Sequence, residues 1–150
     1  MDIFAKRKRS EIMTRIRSKN TKPELFVRKL LFSSGYRYRL HSTVLPGKPD
    51  IVLKKFNTVI FVHGCFWHRH PGCSRATKPD ENRTYWEEKI TGNVARDAQH
   101  EQDLLSAGWR ILTVWECACR ETKAEQLRSK IESFLYGKET TEQIGKEDLL

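Results

Sequence analysis

Apolar residues recur at helical spacing in three stretches of the chain. The first stretch follows Thr21, whose spacing from Glu24 is that of a capping box, and it stops at Gly35. This pattern predicts a helix of about three turns. Two further helices are predicted, over residues 81–107, with a break at Thr91-Gly92, and over residues 123–136.

Strict alternation, or a short run rich in β-branched and aromatic residues, marks four strands. They cover residues 36–40, 50–53, 58–62 and 109–115. Because only Lys54-Lys55-Phe56-Asn57 separates the second strand from the third, we expect these two to form an antiparallel hairpin. Strands and helices in this order indicate an α/β fold, a mixed β-sheet flanked by helices.

A length of 150 residues suits a single domain. Residues 1–20 are rich in Lys and Arg, and we interpret them as a basic arm and a short helix. The domain itself is predicted over residues 21–137. Residues 138–150 are polar and are expected to form a loose tail.

The charge of the chain favours a polyanionic partner. Lys and Arg number 28 against 19 Asp and Glu, a net charge of +9, which is typical of proteins that bind nucleic acid. No apolar stretch reaches the roughly 18–20 residues that cross a bilayer. The basic N-terminus leads into Ser10-Glu11 rather than an apolar signal core. We therefore expect a cytoplasmic protein without a membrane partner.

A carboxylate stands where the predicted hairpin opens. With a turn near residues 55–57, antiparallel pairing sets Asp50 opposite a residue between Phe61 and His63, within roughly 5 Å. A carboxylate beside a backbone carbonyl and an imidazole can hold Mg²⁺, which activates water and stabilises charge during phosphodiester cleavage. The alternative is that Pro49-Asp50 only ends a turn.

His68 is a candidate general base, because the ordinary pKa of an imidazole, about 6.5, lies near neutral pH. Such a base needs an orienting acceptor, and Asp97 on the predicted helix can accept from its second ring nitrogen. The alternatives are a surface histidine and, for Asp97, a partner four residues away on its own helix.

Two thiols and an imidazole fall within nine residues of the loop over residues 63–78. With one distant thiol they make the three-cysteine, one-histidine set that is typical of a closed structural zinc site. The preferred ligands are Cys65, His70, Cys73 and Cys117. His68 competes with His70 for this place, and Cys119 competes with Cys117. Without a metal, both distant thiols are ordinary buried residues.

Aromatic residues accompany the same loop. Phe66 and Trp67 lie between Cys65 and His68, where burying both rings is difficult, and Tyr85-Trp86 follows on the predicted helix. In a basic protein, exposed rings can insert between base pairs and hold a distorted duplex, at an unstacking cost of about a few kcal/mol per step. The alternative, packing into the core, applies above all to Trp86.

Four segments of the chain resemble the very short patch repair (Vsr) endonucleases. They are Pro46–Asp50, Val59–His68, Asn93–Asp97 and Gly108–Cys117. The resemblance implies a restriction-endonuclease-like fold and an endonuclease domain over residues 21–137. It further implies a DNA mismatch endonuclease that nicks double-stranded DNA 5′ of the thymine in a T:G mismatch left by deamination of 5-methylcytosine. A monomer suits such an asymmetric lesion.

The same resemblance implies roles for individual residues. Asp50 and the backbone carbonyl of Val62 would bind Mg²⁺, and His68, oriented by Asp97, would be the catalytic base. His63 and Glu24 would support the scissile phosphate or the water on the metal. The remaining assignments are structural Zn²⁺ on Cys65, His70, Cys73 and Cys117, and intercalation by Phe66, Trp67 and Trp86.

The chain departs from the family pattern in two places. Val62 stands where the family has a threonine, which is tolerable if only the carbonyl binds the metal. Arg69 replaces a histidine, and Pro71-Gly72 lengthens the loop before Cys73 by one residue. Two other functions stay open: a zinc-stabilised module that binds distorted duplex without cutting it, and a related nuclease with another lesion as its target.

Overall fold

The computed structural model describes residues 20–77 and 80–150. In this part of the chain, three α-helices flank one five-stranded sheet. The helices are α1 (Lys22–Ser33), α2 (Arg83–Ser106) and α3 (Ala124–Tyr136). The strands are β1 (Arg39–Leu40), β2 (Ile51–Leu53), β3 (Thr58–His63), β4 (Arg110–Trp115) and β5 (Thr141–Ile144). The basic arm and short helix predicted over residues 1–20 lie outside the described residues, apart from Asn20.

The sheet is mixed, as predicted. Its strands lie in the order β1-β2-β3-β4-β5, with antiparallel pairing from β1 to β3 and parallel pairing from β3 to β5. The predicted hairpin is formed by β2 and β3, and Ile51 pairs with Ile60. Asn57 closes its turn at φ 53°, a left-handed conformation that asparagine tolerates. This register fixes where Asp50, the residue before β2, meets β3.

Helices cover both faces of the sheet. α1 and α3 pack on one face, in a core that includes Ile60, Leu112 and Phe134. On the other face, Leu104 of α2 packs against Val59 and Ile111. Because the central strands are covered on both sides, they read as apolar runs rather than as alternation. No helix among the described residues is both long enough and apolar enough to cross a membrane.

The helices agree with the sequence in their ends but not throughout. In α1 the Thr21 hydroxyl accepts from the Glu24 N–H at 3.4 Å, and Gly35 follows the last turn at φ 90°. In α2 the predicted break at Thr91-Gly92 is wrong, because the helix runs unbroken for 24 residues. One glycine costs a helix about 1 kcal/mol, and the buried Ile90 and Leu104 hold α2 on either side of it.

The expected loose tail over residues 138–150 is also wrong. Residues 141–144 form β5, parallel to β4, and residues 146–149 form a 3₁₀ helix. Ile144 and Leu149 are each 1% exposed. The polar composition was misleading because an edge strand needs few apolar residues when its backbone pairs with a neighbour. The first predicted strand, over residues 36–40, is shorter than expected and pairs only at Arg39-Leu40.

Candidate active site and metal centre

Asp50 lies at the open end of the hairpin, opposite Phe61 by continuation of the register, which is one end of the predicted range from Phe61 to His63. Its Oδ2 accepts the backbone N–H of Val62 at 2.8 Å. Burial raises the pKa of Asp50 to about 6, the Val62 N–H opposes this shift, and the nearby Glu24 adds to it. The carboxylate is therefore fixed in place and costly to ionise, a condition that a bound cation relieves.

Glu24 and His41 complete what we call the acidic corner, the cluster of Glu24, His41 and Asp50. Their ligand atoms lie within 4.8 Å of one another. Glu24 is 2% exposed, and its Oε2 lies 2.7 Å from Nε2 of His41. His63, which we expected to meet Asp50, instead stacks on His68. The imidazole beside Asp50 is that of His41, which follows β1.

His68 and Asp97 are in the contact that the sequence predicted. Nδ1 of His68 lies 2.6 Å from Oδ2 of Asp97 on α2. Because this bond occupies one ring nitrogen, it orients Nε2 as the atom available for proton transfer. The His63 ring stacks on His68 at 3.8 Å between centroids, with 4° between planes. Burial, followed by the neighbouring His68, lowers the pKa of His63 to about 3, so His63 is neutral at pH 7.

The acidic corner and the His68–Asp97 pair line one open groove. The lining also includes Lys22 and Lys48, whose charges suit a polyanion. Phe66 and Trp67 lie along the same groove. The structure thus brings an acid pair, an oriented imidazole and aromatic rings to a single groove.

The aromatic residues form a packed set. The ring centroids of Phe66 and Trp67 lie 5.1 Å apart, and Trp86 contacts them edge-on at 5.4 and 5.7 Å. All three side chains are half-buried, so they neither project freely nor belong to the main core. Tyr85 beside them is 53% exposed. Edge-on packing lets each ring hold the next in place at the groove.

A second cluster, which we call the Cys/His cluster, consists of Cys65, His70, Cys73 and Cys117. Its four ligand atoms lie within 4.8 Å of one another. Nδ1 of His70 is 3.6 Å from Sγ of Cys65 and 3.5 Å from Sγ of Cys117. In a tetrahedral zinc site, with Zn–S near 2.3 Å and Zn–N near 2.05 Å, sulfur and nitrogen lie about 3.6 Å apart. The donor set therefore fits zinc in identity and in spacing.

The surroundings of the Cys/His cluster support the same conclusion. Cys65 and Cys117 are fully buried, and burial raises the pKa of both thiols. The N–H of Lys146 donates to Sγ of Cys117 at 3.4 Å, and this contact favours the thiolate. Gly145 lies so close that an added Cβ would meet Cε1 of His70 at 2.7 Å. The segment after β5 therefore closes the cluster.

The two competing ligands of the sequence analysis lie elsewhere. Cys119 donates to the carbonyl oxygens of Pro23 and Trp115, each at 3.8 Å. His68 is bonded to Asp97 instead. A line of rings nevertheless joins the two centres: His63 contacts Trp115 edge-on at 5.4 Å, and Trp115 stacks on His70 at 4.3 Å.

Comparison with known proteins decides the family. The family model described as DNA mismatch endonuclease Vsr matches residues 1–75. The DNA mismatch endonuclease Vsr of Escherichia coli is 36% identical over 151 aligned positions, which cover 99% of this chain and 96% of that protein. The chain belongs to the Vsr family. The restriction-endonuclease-like α/β fold and the endonuclease activity predicted from the sequence are thereby confirmed.

Other Vsr relatives are named as nicking enzymes. The type II nicking enzyme V.NmeAIP of Neisseria meningitidis is 48% identical over 126 residues, 80% of this chain and 89% of the relative. The type II nicking enzyme V.XorIIP of Xanthomonas oryzae is 46% identical over 127 residues, 85% of this chain and 93% of the relative. This Vsr-family protein is accordingly a hydrolase of DNA repair rather than a non-catalytic binding module.

Sequence reasoning missed His41 and the segment over residues 145–147. His41 follows a strand of only two residues, so no periodicity drew attention to it. The one feature of the sequence that could have marked His41 is its position, nine residues before Asp50 in a polar stretch. Residues 145–147 act through the Lys146 N–H, through the absence of a side chain at Gly145, and through the Glu147 carboxylate, whose Oε1 lies 3.3 Å from Nε2 of His70. Composition reveals none of these contacts.

Proposed function

We propose that the protein nicks one strand of double-stranded DNA 5′ of the thymine in a T:G mismatch left by deamination of 5-methylcytosine, in a Mg²⁺-dependent hydrolysis. The observation that carries this proposal is the Asp50 carboxylate, fixed by the Val62 N–H in the groove that His68 and Asp97 also line. Two relatives named as nicking enzymes and one named as a mismatch endonuclease support the choice.

Asp50 and the backbone carbonyl of Val62 are the groups that would hold Mg²⁺, since hard cations take oxygen ligands. The ion supplies Lewis acidity and lowers the pKa of water. Glu24 presents a second carboxylate at the same corner, 2% exposed and already hydrogen-bonded. We propose that Glu24 orients the water or phosphate that enters the groove.

His68 is the proposed general base. It takes a proton from the attacking water at Nε2, while Asp97 holds Nδ1 and stabilises the imidazolium that forms. His63 is neutral at pH 7 and stacked on His68, so it fixes the plane of the base without adding a competing positive charge. His63 also lines the groove, where it can donate to the scissile phosphate.

The Cys/His cluster is proposed to hold structural Zn²⁺. The loop between Cys65 and Cys73 carries His68, and also Phe66 and Trp67, so a metal there would fix the base and the rings together. Phe66, Trp67 and Trp86 are proposed to insert between base pairs beside the mismatch. We expect the enzyme to act as a monomer, because the lesion is asymmetric.

The test uses duplexes with strand-specific end labels that carry a T:G pair, other mismatches or perfect pairs, in Mg²⁺ and in its absence. We expect a single cut 5′ of the mismatched thymine, in Mg²⁺ only. Asp50→Asn should lower the rate by about 10³-fold, since a metal contributes several kcal/mol to the transition state, while binding of the duplex persists. Asp103→Asn, an exposed carboxylate on α2, is the matched control.

Each outcome bears on a separate part of the proposal. Equal cutting of all duplexes would contradict mismatch specificity, and cutting of both strands would contradict nicking. Unchanged nicking by Asp50→Asn would remove Asp50 from the reaction. Full activity in the presence of a chelator would show that the reaction does not need a divalent metal.

A further inference from the structure

We propose that His41 is a positioning residue of the active site, which holds the Glu24 carboxylate beside Asp50. The inference deepens the proposed function and rests on it. No motif that carries the family resemblance includes His41, and its role follows from its contacts.

His41 makes a hydrogen bond to each of the two elements that meet at this corner, α1 and the hairpin. Its Nε2 lies 2.7 Å from Oε2 of Glu24, which belongs to the first turn of α1. Its own backbone N–H donates to the carbonyl of Asp50 at 3.0 Å. One residue thus bonds the backbone at one carboxylate and the side chain at the other.

The backbone of His41 is shaped for this contact. Its φ of 49° lies in the left-handed region, which costs a residue with a Cβ of order 1 kcal/mol or more. The turn redirects the chain after β1 so that the imidazole faces α1, where it is 15% exposed. The surrounding structure maintains this conformation, and its effect is to bring an imidazole onto a buried acid.

The other hydrogen-bond partners of Glu24 do not connect its carboxylate to the hairpin. Asn20 donates its backbone N–H to Oε1 at 3.2 Å, and Arg28 donates to Oε2 at 3.2 Å from one turn along the same helix. Both groups move with α1. Within residues 20–77 and 80–150, the hydrogen bond to His41 is the only one that ties the Glu24 carboxylate to the hairpin beside Asp50.

The carboxylates of Glu24 and Asp50 lie within 4.8 Å of each other. Like charges at this separation repel, and repulsion would drive an untethered Glu24 away from Asp50. A hydrogen bond from His41 opposes that movement. Loss of an orienting partner next to a metal ligand typically costs about 10–100-fold in metal affinity or activity, which sets the effect we expect.

The experiment compares three variants of the zinc-loaded protein: His41→Leu, His41→Gln and Arg28→Met. Leucine removes the bond, whereas the glutamine amide can donate to Glu24 in place of Nε2. Arg28→Met is the matched control, because it removes the other side-chain donor to the same oxygen. The readouts are single-turnover nicking of T:G duplex against Mg²⁺ concentration, affinity for duplex in Ca²⁺, thermal unfolding, and Mn²⁺ binding followed by electron paramagnetic resonance.

We expect His41→Leu to lower the single-turnover rate about 10–100-fold and to weaken Mn²⁺ binding about 10-fold, with duplex affinity unchanged. His41→Gln and Arg28→Met should stay within about 3-fold of the parent protein. Losses of equal size in Arg28→Met, no rescue by glutamine, or an unchanged His41→Leu would each overturn the assignment. Weaker duplex binding in step with a lower melting temperature would also overturn it, since that pattern marks a purely structural residue.

The proposed function can fail separately. If the parent protein cuts all duplexes alike, or cuts both strands, the T:G nicking proposal is wrong. The Mn²⁺ comparison of leucine against glutamine still decides the role of His41, because it needs no substrate. A difference between these two variants then supports the positioning role, and equal affinities contradict it.

Discussion

The acidic corner is open and the Cys/His cluster is closed, although both lie near the same end of β3. Glu24, His41 and Asp50 line a groove, whereas Cys65 and Cys117 are fully buried. The difference follows from what covers each cluster. The segment over residues 145–147 closes the Cys/His cluster, with a backbone N–H on Cys117 and Gly145 against His70.

The two clusters also differ in what they do for stability. Four donors at tetrahedral spacing gain free energy from a metal, and that gain adds to the free energy of unfolding. The acidic corner does the opposite, because burial makes the Asp50 carboxylate costly to ionise at neutral pH. With zinc bound as proposed, the Cys/His cluster would stabilise the fold, whereas the acidic corner lowers the free energy of unfolding.

Among the tests of this difference, Cys117→Ser has the largest expected effect. We expect the variant to lose bound zinc and at least about 4 kcal/mol of unfolding free energy, since binding energy at a closed site is folding energy. This corresponds to a fall of roughly 8–16 °C in melting temperature for a chain of this size. Thermal unfolding and metal analysis measure it.

Cys119→Ser is the control for this prediction, because Cys119 lies outside the cluster. It should change the melting temperature far less and leave the zinc content intact. Parent protein purified without zinc, or equal losses in the two serine variants, would remove the stabilising role from the Cys/His cluster.

A second test asks how far the closed side depends on β5. Ile144 is 1% exposed, so Ile144→Ala should cost about 2–5 kcal/mol by the usual range for emptied core positions. Thr141→Ala, at an exposed position on the same strand, should stay within about 0.5 kcal/mol. Urea unfolding measures both. A cost below that of the Thr141 variant would restore the view of residues 138–150 as a tail.

The third test concerns the acidic corner, where we expect replacement of Asp50 to raise the free energy of unfolding. The Asp50 carboxyl has a pKa of about 6 in the folded protein, raised by burial, against about 3.9 when unfolded. Because the folded state holds its proton more tightly, stability falls as pH rises from about 4 to about 6. Without Mg²⁺, Asp50→Asn should therefore be more stable than the parent by up to about 3 kcal/mol at pH 7.

This gain should vanish below about pH 4, where the carboxyl is protonated in both states. Melting curves at several pH values, with Asp103→Asn as control, measure it. A constant gain at all pH values would mean that ionisation of Asp50 is not its cause.

The smallest test compares two glycines. A Cβ at Gly145 would meet Cε1 of His70 at 2.7 Å, so Gly145→Ala should cost about 1–3 kcal/mol and speed the release of zinc to a chelator. At Gly92, inside α2, the nearest atom would be the flexible Arg96 side chain at 3.5 Å, and alanine should stabilise by about 0.5–1 kcal/mol. A change in unfolding free energy of the same sign in both alanine variants would contradict the crowded geometry at Gly145.

Much of the site followed from short-range rules. The length of the hairpin turn predicted that Asp50 lies opposite a residue between Phe61 and His63, and the observed register gives Phe61. The pairing of Cys65, His70 and Cys73 with a distant thiol followed from metal chemistry, and the preference for Cys117 agrees with the cluster. The contact between His68 and Asp97 followed from the need of a base for an acceptor.

The rest depended on contacts without a local signal. His41 reaches Glu24 across 17 positions of sequence through a turn that no periodicity marks. β5 is polar and forms because β4 offers an unpaired edge, a property of the folded sheet rather than of residues 141–144. The unbroken α2 shows the same limit, since packing at Ile90 and Leu104 outweighs the local cost of Gly92.

Val62 and Lys146 contribute to the two centres through the main chain alone: each donates an N–H, to Asp50 and to Cys117 respectively. Replacement of the side chain at either position leaves that donor in place. Proline is the exception, because it has no N–H to give. Exclusion of proline is therefore the evolutionary signature to look for at these two positions.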